Sequence, residues 1–258
     1  MSLSTLSFTD ENHGTGTYAV VRMNRPAVRN AIDQAMVDDL HAVCADLEAR
    51  PRTLILTGCQ VDGRYGPKGI FASGADITQL RERRREDALR GINSQIFERI
   101  ANLPMPVIAA VDGAALGGGA ELALAADFRL GTPAVRFGQP ETGLGIIAAA
   151  GGLWRLREVT GEQLAKEILL AGRILTGEEC LTNGILLSLH DPDDIMNAAV
   201  ELAERIDTQD PLAVRVSKRV FSMPRDAHPH VDELAQAILF ESQEKFDRMQ
   251  AFIDRKKK

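Results

Sequence analysis

Apolar residues fall along the chain in two rhythms. Tyr18-Ala19-Val20-Val21-Arg22-Met23 is a short, branched, mostly apolar run closed by a turn before Pro26, which predicts a strand; Thr53-Leu54-Ile55-Leu56-Thr57 predicts a second. Between them Asp33 is placed to cap a helix. Met36, Leu40, Val43 and Leu47 follow at spacings of 4, 3 and 4, so they share one face with Cys44. Pro106 opens Val107-Ile108-Ala109-Ala110-Val111, whose length and branching suit a buried strand. Glycines come next, at Gly113 and Gly117-Gly118-Gly119, and then Ala120 to Ala126, a short helix apolar on nearly every side that must lie deep in the core.

Beyond Gly145 the rhythm becomes helical: Gln163 to Leu170, Thr176 to Leu181, Ile195 to Ile206, Leu212 to Phe221 and Val231 to Arg255 are predicted helical stretches. The shift divides the chain into a strand-and-helix core over residues 1–190 and a helical section over 191–258, an α/β organisation without internal repeats or low-complexity tracts.

Two glycine-bearing segments can carry chemistry. Phe71-Ala72-Ser73-Gly74-Ala75-Asp76-Ile77 sets small residues in a row before a helix, where a ligand can approach the backbone and unpaired N–H groups can receive negative charge. An ordinary tight loop fits the same residues. Gly117-Gly118-Gly119 repeats the pattern after a strand. A dinucleotide fingerprint would need glycine where Leu122 stands, and no G-K-[ST] follows, so the residues exclude both the Rossmann and the P-loop motifs.

Glu121 is the outlier of its helix, a carboxylate among Ala and Leu. Apolar burial raises its pKa while the helix N-terminus favours the ionised form, which suits a general acid or base near neutral pH. A structural partner such as Arg136, or loop amides, would explain it equally well. Glu141 follows Pro140 in Phe137-Gly138-Gln139-Pro140-Glu141, a turn able to hold one side chain stiffly. Paired, the two carboxylates could divide the work of activating water and delivering a proton.

Composition narrows the classes without naming one. Thirty Lys and Arg against 36 Asp and Glu leave a net charge of −6, which speaks against a nucleic-acid partner. The first 25 residues lack an apolar core and no run of 18 apolar residues occurs, so neither a signal peptide nor a membrane span is expected. Cys44, Cys59 and Cys180 are odd in number, widely spaced and without a C-x-x-C pair, which fits a reducing, cytoplasmic setting. His13, His41, His190, His228 and His230 lack H-x-x-x-H spacing for zinc, and no G-x-S-x-G elbow is present. The run Arg81 to Asp87 reads as a solvated helix face, and Lys256 to Lys258 as a frayed tail.

Three segments, Phe71 to Ile77, Ala109 to Leu122 and Phe137 to Glu141, resemble successive signatures of the enoyl-CoA hydratase/isomerase (crotonase) family, in order and at typical spacing. Asn24 to Ala31 and Phe252 to Lys256 extend the resemblance over almost the whole chain. It implies a crotonase-like spiral of repeated β-β-α units with a C-terminal helical region for trimerisation and active-site closure, assembled as a homotrimer or dimer of trimers. It also implies oxyanion-hole N–H groups at Ala75 and Gly118, catalytic Glu121 and Glu141, and CoA or substrate contacts from Arg29, Ala31, Ala72, Gly74, Asp76, Ile77 and Gly117. The implied activity is reversible hydration of a trans-2-enoyl-CoA, with an acyl-CoA as substrate and neither metal nor other cofactor. A 3-enoyl-CoA isomerase, another thioester-enolate reaction, or an idle CoA-binding member are the alternatives. Two positions depart from the family pattern: Ala148-Ala149 stand where hydratases often have Pro-Gly, and Ala27 where Lys is common, with Arg29 nearby to compensate.

Overall fold

The computed structural model describes residues 3–13, 16–64 and 66–256, so Lys257 and Lys258 of the basic tail lie outside the described residues. Its strands form two sheets. One runs β1 (Leu6–His13), β2 (Gly16–Met23), β3 (Leu54–Thr57), β6 (Val107–Val111), β8 (Phe128–Gly131) and β11 (Ser188–Leu189); the first pair is antiparallel and every later pair parallel. The other runs β10 (Leu175–Thr176), β9 (Arg136–Gly138), β7 (Ala114–Leu116), β5 (Lys68–Ala72) and β4 (Cys59–Val61), parallel at its centre and antiparallel at both edges. Successive windings of the chain lay β3 then β5, β6 then β7, and β8 then β9 into the two sheets. This is the α/β spiral expected of the sequence.

Period-two alternation decides which core each strand side chain enters. Ala19, Val21, Leu54, Leu56, Val107 and Ala109 face the larger core, shared with Met36, Leu40, Val43, Cys44 and Leu47 of helix Gln34–Ala49. Asp33 caps that helix by accepting from the Met36 N–H at 2.9 Å. The intervening Tyr18, Val20, Ile55, Ile108 and Ala110 face a second core, covered by Ile195, Ala199, Leu202, Ala203 and Ile206 of helix Ile195–Asp207. With both faces covered, the central strands are continuous apolar runs.

Burial ends with that helix. Helices Pro211–Phe221, His230–Phe240 and Gln243–Arg255 contain no buried residue, and Phe221, Leu234, Ile238, Phe246 and Phe252 are exposed. The single helical stretch predicted over Val231 to Arg255 is two helices. Ser242 separates them, its hydroxyl accepting from the Lys245 N–H as an N-cap, a competition with helix continuation that periodicity does not register. Helix Gly118–Leu124 is buried along its whole length, as predicted. It lies so close to β5 that a Cβ on Gly119 would stand 2.2 Å from the Ala72 carbonyl oxygen. That approach sets the start of the helix beside the loop after β5 and so builds the site.

Candidate active site

Ala75 sits in a one-residue parallel bridge with Ile32, in which the Ile32 N–H donates to the Gly74 carbonyl at 2.8 Å and the Asp76 N–H to the Ile32 carbonyl at 2.9 Å. The pairing consumes the groups on either side of Ala75 and leaves its own N–H without an acceptor among the described residues. Gly118 is the first residue of its helix, where an N–H has no intrahelical partner. A Cβ on Gly118 would lie 3.3 Å from the Ala75 nitrogen, so the two unpaired donors flank one small space. Gly117, with φ of 51°, supplies the left-handed turn that presents the second donor.

The carboxylates converge on the same place. Glu121 is 4% exposed and Glu141 8%. Glu121 Oε1 accepts from the Ala150 N–H at 2.7 Å and the Gly152 N–H at 3.0 Å, so loop amides hold it, and Arg136 instead donates to the Val135 carbonyl. Burial pushes its pKa up to about 7; the charge on Glu141 adds to the rise, while the two amides and Arg155 oppose it. Glu141 is held in the 3₁₀ turn Pro140–Leu144, and burial raises its pKa too. Its Oε1 would stand 2.8 Å from a Cβ on Gly117, next to the paired donors. With its amide oriented to satisfy its neighbours, Gln139 donates from Nε2 to both Glu141 oxygens, at 3.2 and 3.1 Å. A cleft of about 860 Å³ contains Ala75, Gly118, Glu121 and Glu141 together. Leu144, Ile146 and Ile147 are exposed along it and give it an apolar wall.

The sequence profile of the enoyl-CoA hydratase/isomerase family matches residues 14–258. The chain belongs to this family. It is 35% identical over 250 residues to a short-chain-enoyl-CoA hydratase of Clostridium acetobutylicum, covering 94% of this chain and 93% of the relative. It is 31% identical to a crotonyl-CoA hydratase of Syntrophomonas wolfei, with 93% and 92% covered. An enoyl-CoA hydratase from Bacillus anthracis, solved by crystallography, superposes with a TM-score of 0.87 at 28% identity over 98% of this chain and 97% of that one.

Within this crotonase fold the remaining residues singled out from the sequence divide into two groups. Ala31, Gly74, Asp76, Ile77 and Gly117 line the cleft with the four central residues. Asp76 also caps helix Ile77–Glu82, accepting from the Thr78 and Gln79 N–H groups at 3.1 Å. Ala72 is buried behind the cleft against Gly119, and Arg29 is exposed outside the lining, contributing its carbonyl to the Ser73 N–H. The Ala148-Ala149 departure lies in the segment that anchors Glu121: Ala148 is buried, Ala149 lines the cleft, and the next peptide N–H is the 2.7 Å donor. Backbone donors carry that anchoring, so it survives the change of side chain.

Sequence reasoning missed Gln139, Arg155 and Asn93. Arg155 is buried, donates to Glu98 at 2.7 Å and reaches the Ala150 carbonyl at 3.5 Å, steadying the loop that holds Glu121. Gln139 was visible only as part of a turn, since the spacing to Glu141 does not show where its amide points, and Asn93 carried no signal, because it meets Gly118 from a remote part of the chain.

The raised pKa of Glu121 has a measurable consequence for stability. An unfolded glutamate titrates near 4.5 and Glu121 near 7. Between those values the native protein binds more protons than the unfolded chain, so stability falls as pH rises through the window, by about 3 kcal/mol in all. Glu121→Gln keeps an oxygen for the two amides and carries no charge. Its stability relative to the parent should therefore increase from pH 5 to pH 8 by up to about 3 kcal/mol. Urea unfolding at both pH values checks this, and a pH-independent difference would contradict it.

Proposed function

We propose that the protein is an enoyl-CoA hydratase that reversibly adds water across a trans-2-enoyl-CoA to give a 3-hydroxyacyl-CoA. One observation carries the reading: two desolvated carboxylates share a cleft with two unpaired, converging backbone N–H groups. The N–H groups of Ala75 and Gly118 would receive the thioester oxygen and stabilise the charge it gains as water adds, acting most strongly in the transition state. Glu121, ionised with the help of two amides, takes a proton from water as the oxygen attacks C3. Glu141, whose protonated form burial favours, delivers its proton to C2. The carboxyls finish with exchanged protonation and reset by proton transfer to solvent.

Two carboxylates favour hydration over double-bond migration, which one base can accomplish by moving a proton between C2 and C4. The names of relatives include hydratases and a Mycosarcoma maydis enoyl-CoA isomerase/hydratase at 32% identity. Loss of the conjugated enoyl-thioester absorbance on addition of crotonyl-CoA or a longer enoyl-CoA tests the reading; no turnover at any chain length would overturn it.

We further propose that the exposed apolar residues from Pro211 onward are covered in a homotrimer or dimer of trimers, since so many large apolar side chains rarely stay in water on a monomer. Light scattering should return three or six times the 28.1 kDa chain mass, and a monomer mass would exclude the assembly.

A further inference from the structure

The charged run Arg81 to Asp87 is not the uniformly solvated face its composition suggests. Helix Ile77–Glu82 stops at Arg83, where the backbone extends (φ −62°, ψ 142°), and helix Arg85–Arg90 begins anew. Arg81 and Glu82 stay exposed, while Arg83 at the corner lines the cleft.

There its guanidinium lacks an ionic partner. Both terminal nitrogens stand 3.4 Å from Asn93 Oδ1, long contacts to a neutral oxygen. Among the described residues no carboxylate lies within ion-pair distance of it. Asp87, the acid that acts on it electrostatically, is already engaged by the Arg90 guanidinium and by the Arg84 N–H at 2.8 Å. Burial pushes the Arg83 pKa down. Arg83 is half-buried, and a partly desolvated cation without a counter-charge gains from a bound anion.

Asn93 links this cation to the paired donors. Its Oδ1 faces Arg83, while its Nδ2, without an acceptor among the described residues, stands 3.6 Å from where a Cβ on Gly118 would be. Donors thus follow one another from Gly118 through Asn93 Nδ2 to the Arg83 guanidinium, while Asp87, which also lines the cleft, is engaged by Arg90. The guanidinium lies on the far side of Asn93 from the place proposed for the thioester oxygen. An acyl chain held at its carbonyl and running along this wall would bring its far end to Arg83.

Resting on the acyl-CoA reading above, we propose that Arg83, oriented by Asn93, is a specificity-determining residue that selects acyl-CoA thioesters whose acyl chain carries a carboxylate. The planar fork of a guanidinium accepts a carboxylate in two parallel hydrogen bonds, a match that an unsubstituted alkyl chain cannot offer. The phosphates of CoA could be drawn to the same cation, but they are common to every thioester and would confer no preference between acyl groups.

Calorimetry with saturated thioesters, which cannot be hydrated, reads this selection without turnover. Glutaryl-CoA against valeryl-CoA and adipyl-CoA against hexanoyl-CoA are the matched pairs. The wild-type protein should prefer the carboxylated member of at least one pair by about 10- to 100-fold, the scale of a charge-assisted pair. Arg83→Gln should collapse that ratio toward one, and Arg83→Lys should recover part of it; thermal melts verify that both variants fold. Equal wild-type affinity for both members of each pair overturns the proposal, as does an equal weakening of both members by Arg83→Gln, which would place the guanidinium on CoA. Binding of neither member overturns the acyl-CoA reading, and this proposal with it.

Discussion

Glu121→Gln is expected to lower kcat for hydration of crotonyl-CoA by about 10²- to 10⁴-fold, the range ascribed to a positioned acid or base. Gln keeps the shape of the side chain and an oxygen for the Ala150 and Gly152 N–H groups, so the site stays assembled while the proton acceptor is lost. KM should change little, because the substitution touches neither of the two backbone donors. The parent enzyme should show kcat rising with pH through about 7 as Glu121 ionises, and that limb should vanish in the variant. Glu141→Gln should produce a loss of similar size, since C2 then has no proton donor. A Glu141→Gln enzyme that hydrates normally would show that Glu141 is no acid. One that fails to hydrate yet still converts 3-enoyl-CoA would move the assignment to a single-base isomerase.

The second large effect concerns the backbone. Gly118→Pro removes one of the two converging N–H groups at the first position of a helix, where proline's fixed φ is tolerated. Loss of one oxyanion donor costs about 10²- to 10³-fold in kcat where such donors have been removed. Far-UV circular dichroism establishes whether the variant folds. Gly118→Ala provides an independent check, because it keeps the N–H but sets a Cβ 3.3 Å from the Ala75 nitrogen and narrows the same space. It should bind thioester more weakly and turn over more slowly than the parent, by less than the proline variant. Wild-type kcat in a folded Gly118→Pro protein would exclude this pair of donors from the reaction.

The two carboxylates share one desolvated cleft but are held by different neighbours. Both are desolvated, which alone would keep both neutral. Glu121 differs in receiving two peptide N–H groups and the nearby positive charge of Arg155, all favouring ionisation. Glu141 is met by its own backbone N–H and by the Gln139 amide, which donates to both of its oxygens, so its ionised form is supported as well. Burial outweighs the donors at Glu121, whose pKa rises to about 7, where a carboxylate can exchange protons near neutral pH. Gln139 and Arg155 act here through Glu141 and Glu121, as positioning residues.

Much of the framework was legible in the order of residues alone. Strands β2, β3 and β6 and helix Gln34–Ala49 were legible because their apolar residues repeat at the period of the element that buries them. Glu121 was legible as a charge in an apolar helix, and Gly117 to Gly119 as residues that allow close backbone approach. Short strands such as β7 and β9, three residues each, were not. Their pairing with distant strands, and no local period, makes them strands.

That Ala75 and Gly118, 43 positions apart, present N–H groups to one space follows from the three-dimensional fold, since it depends on the Ile32 bridge and the Gly119 approach to Ala72. The fold likewise decides that Arg83 leaves the charged surface of its neighbours and enters the cleft. Local sequence specifies which groups are present and the period on which they repeat. Convergence and desolvation arise between segments remote in the chain, and those two conditions turn ordinary glutamates and glycines into a site.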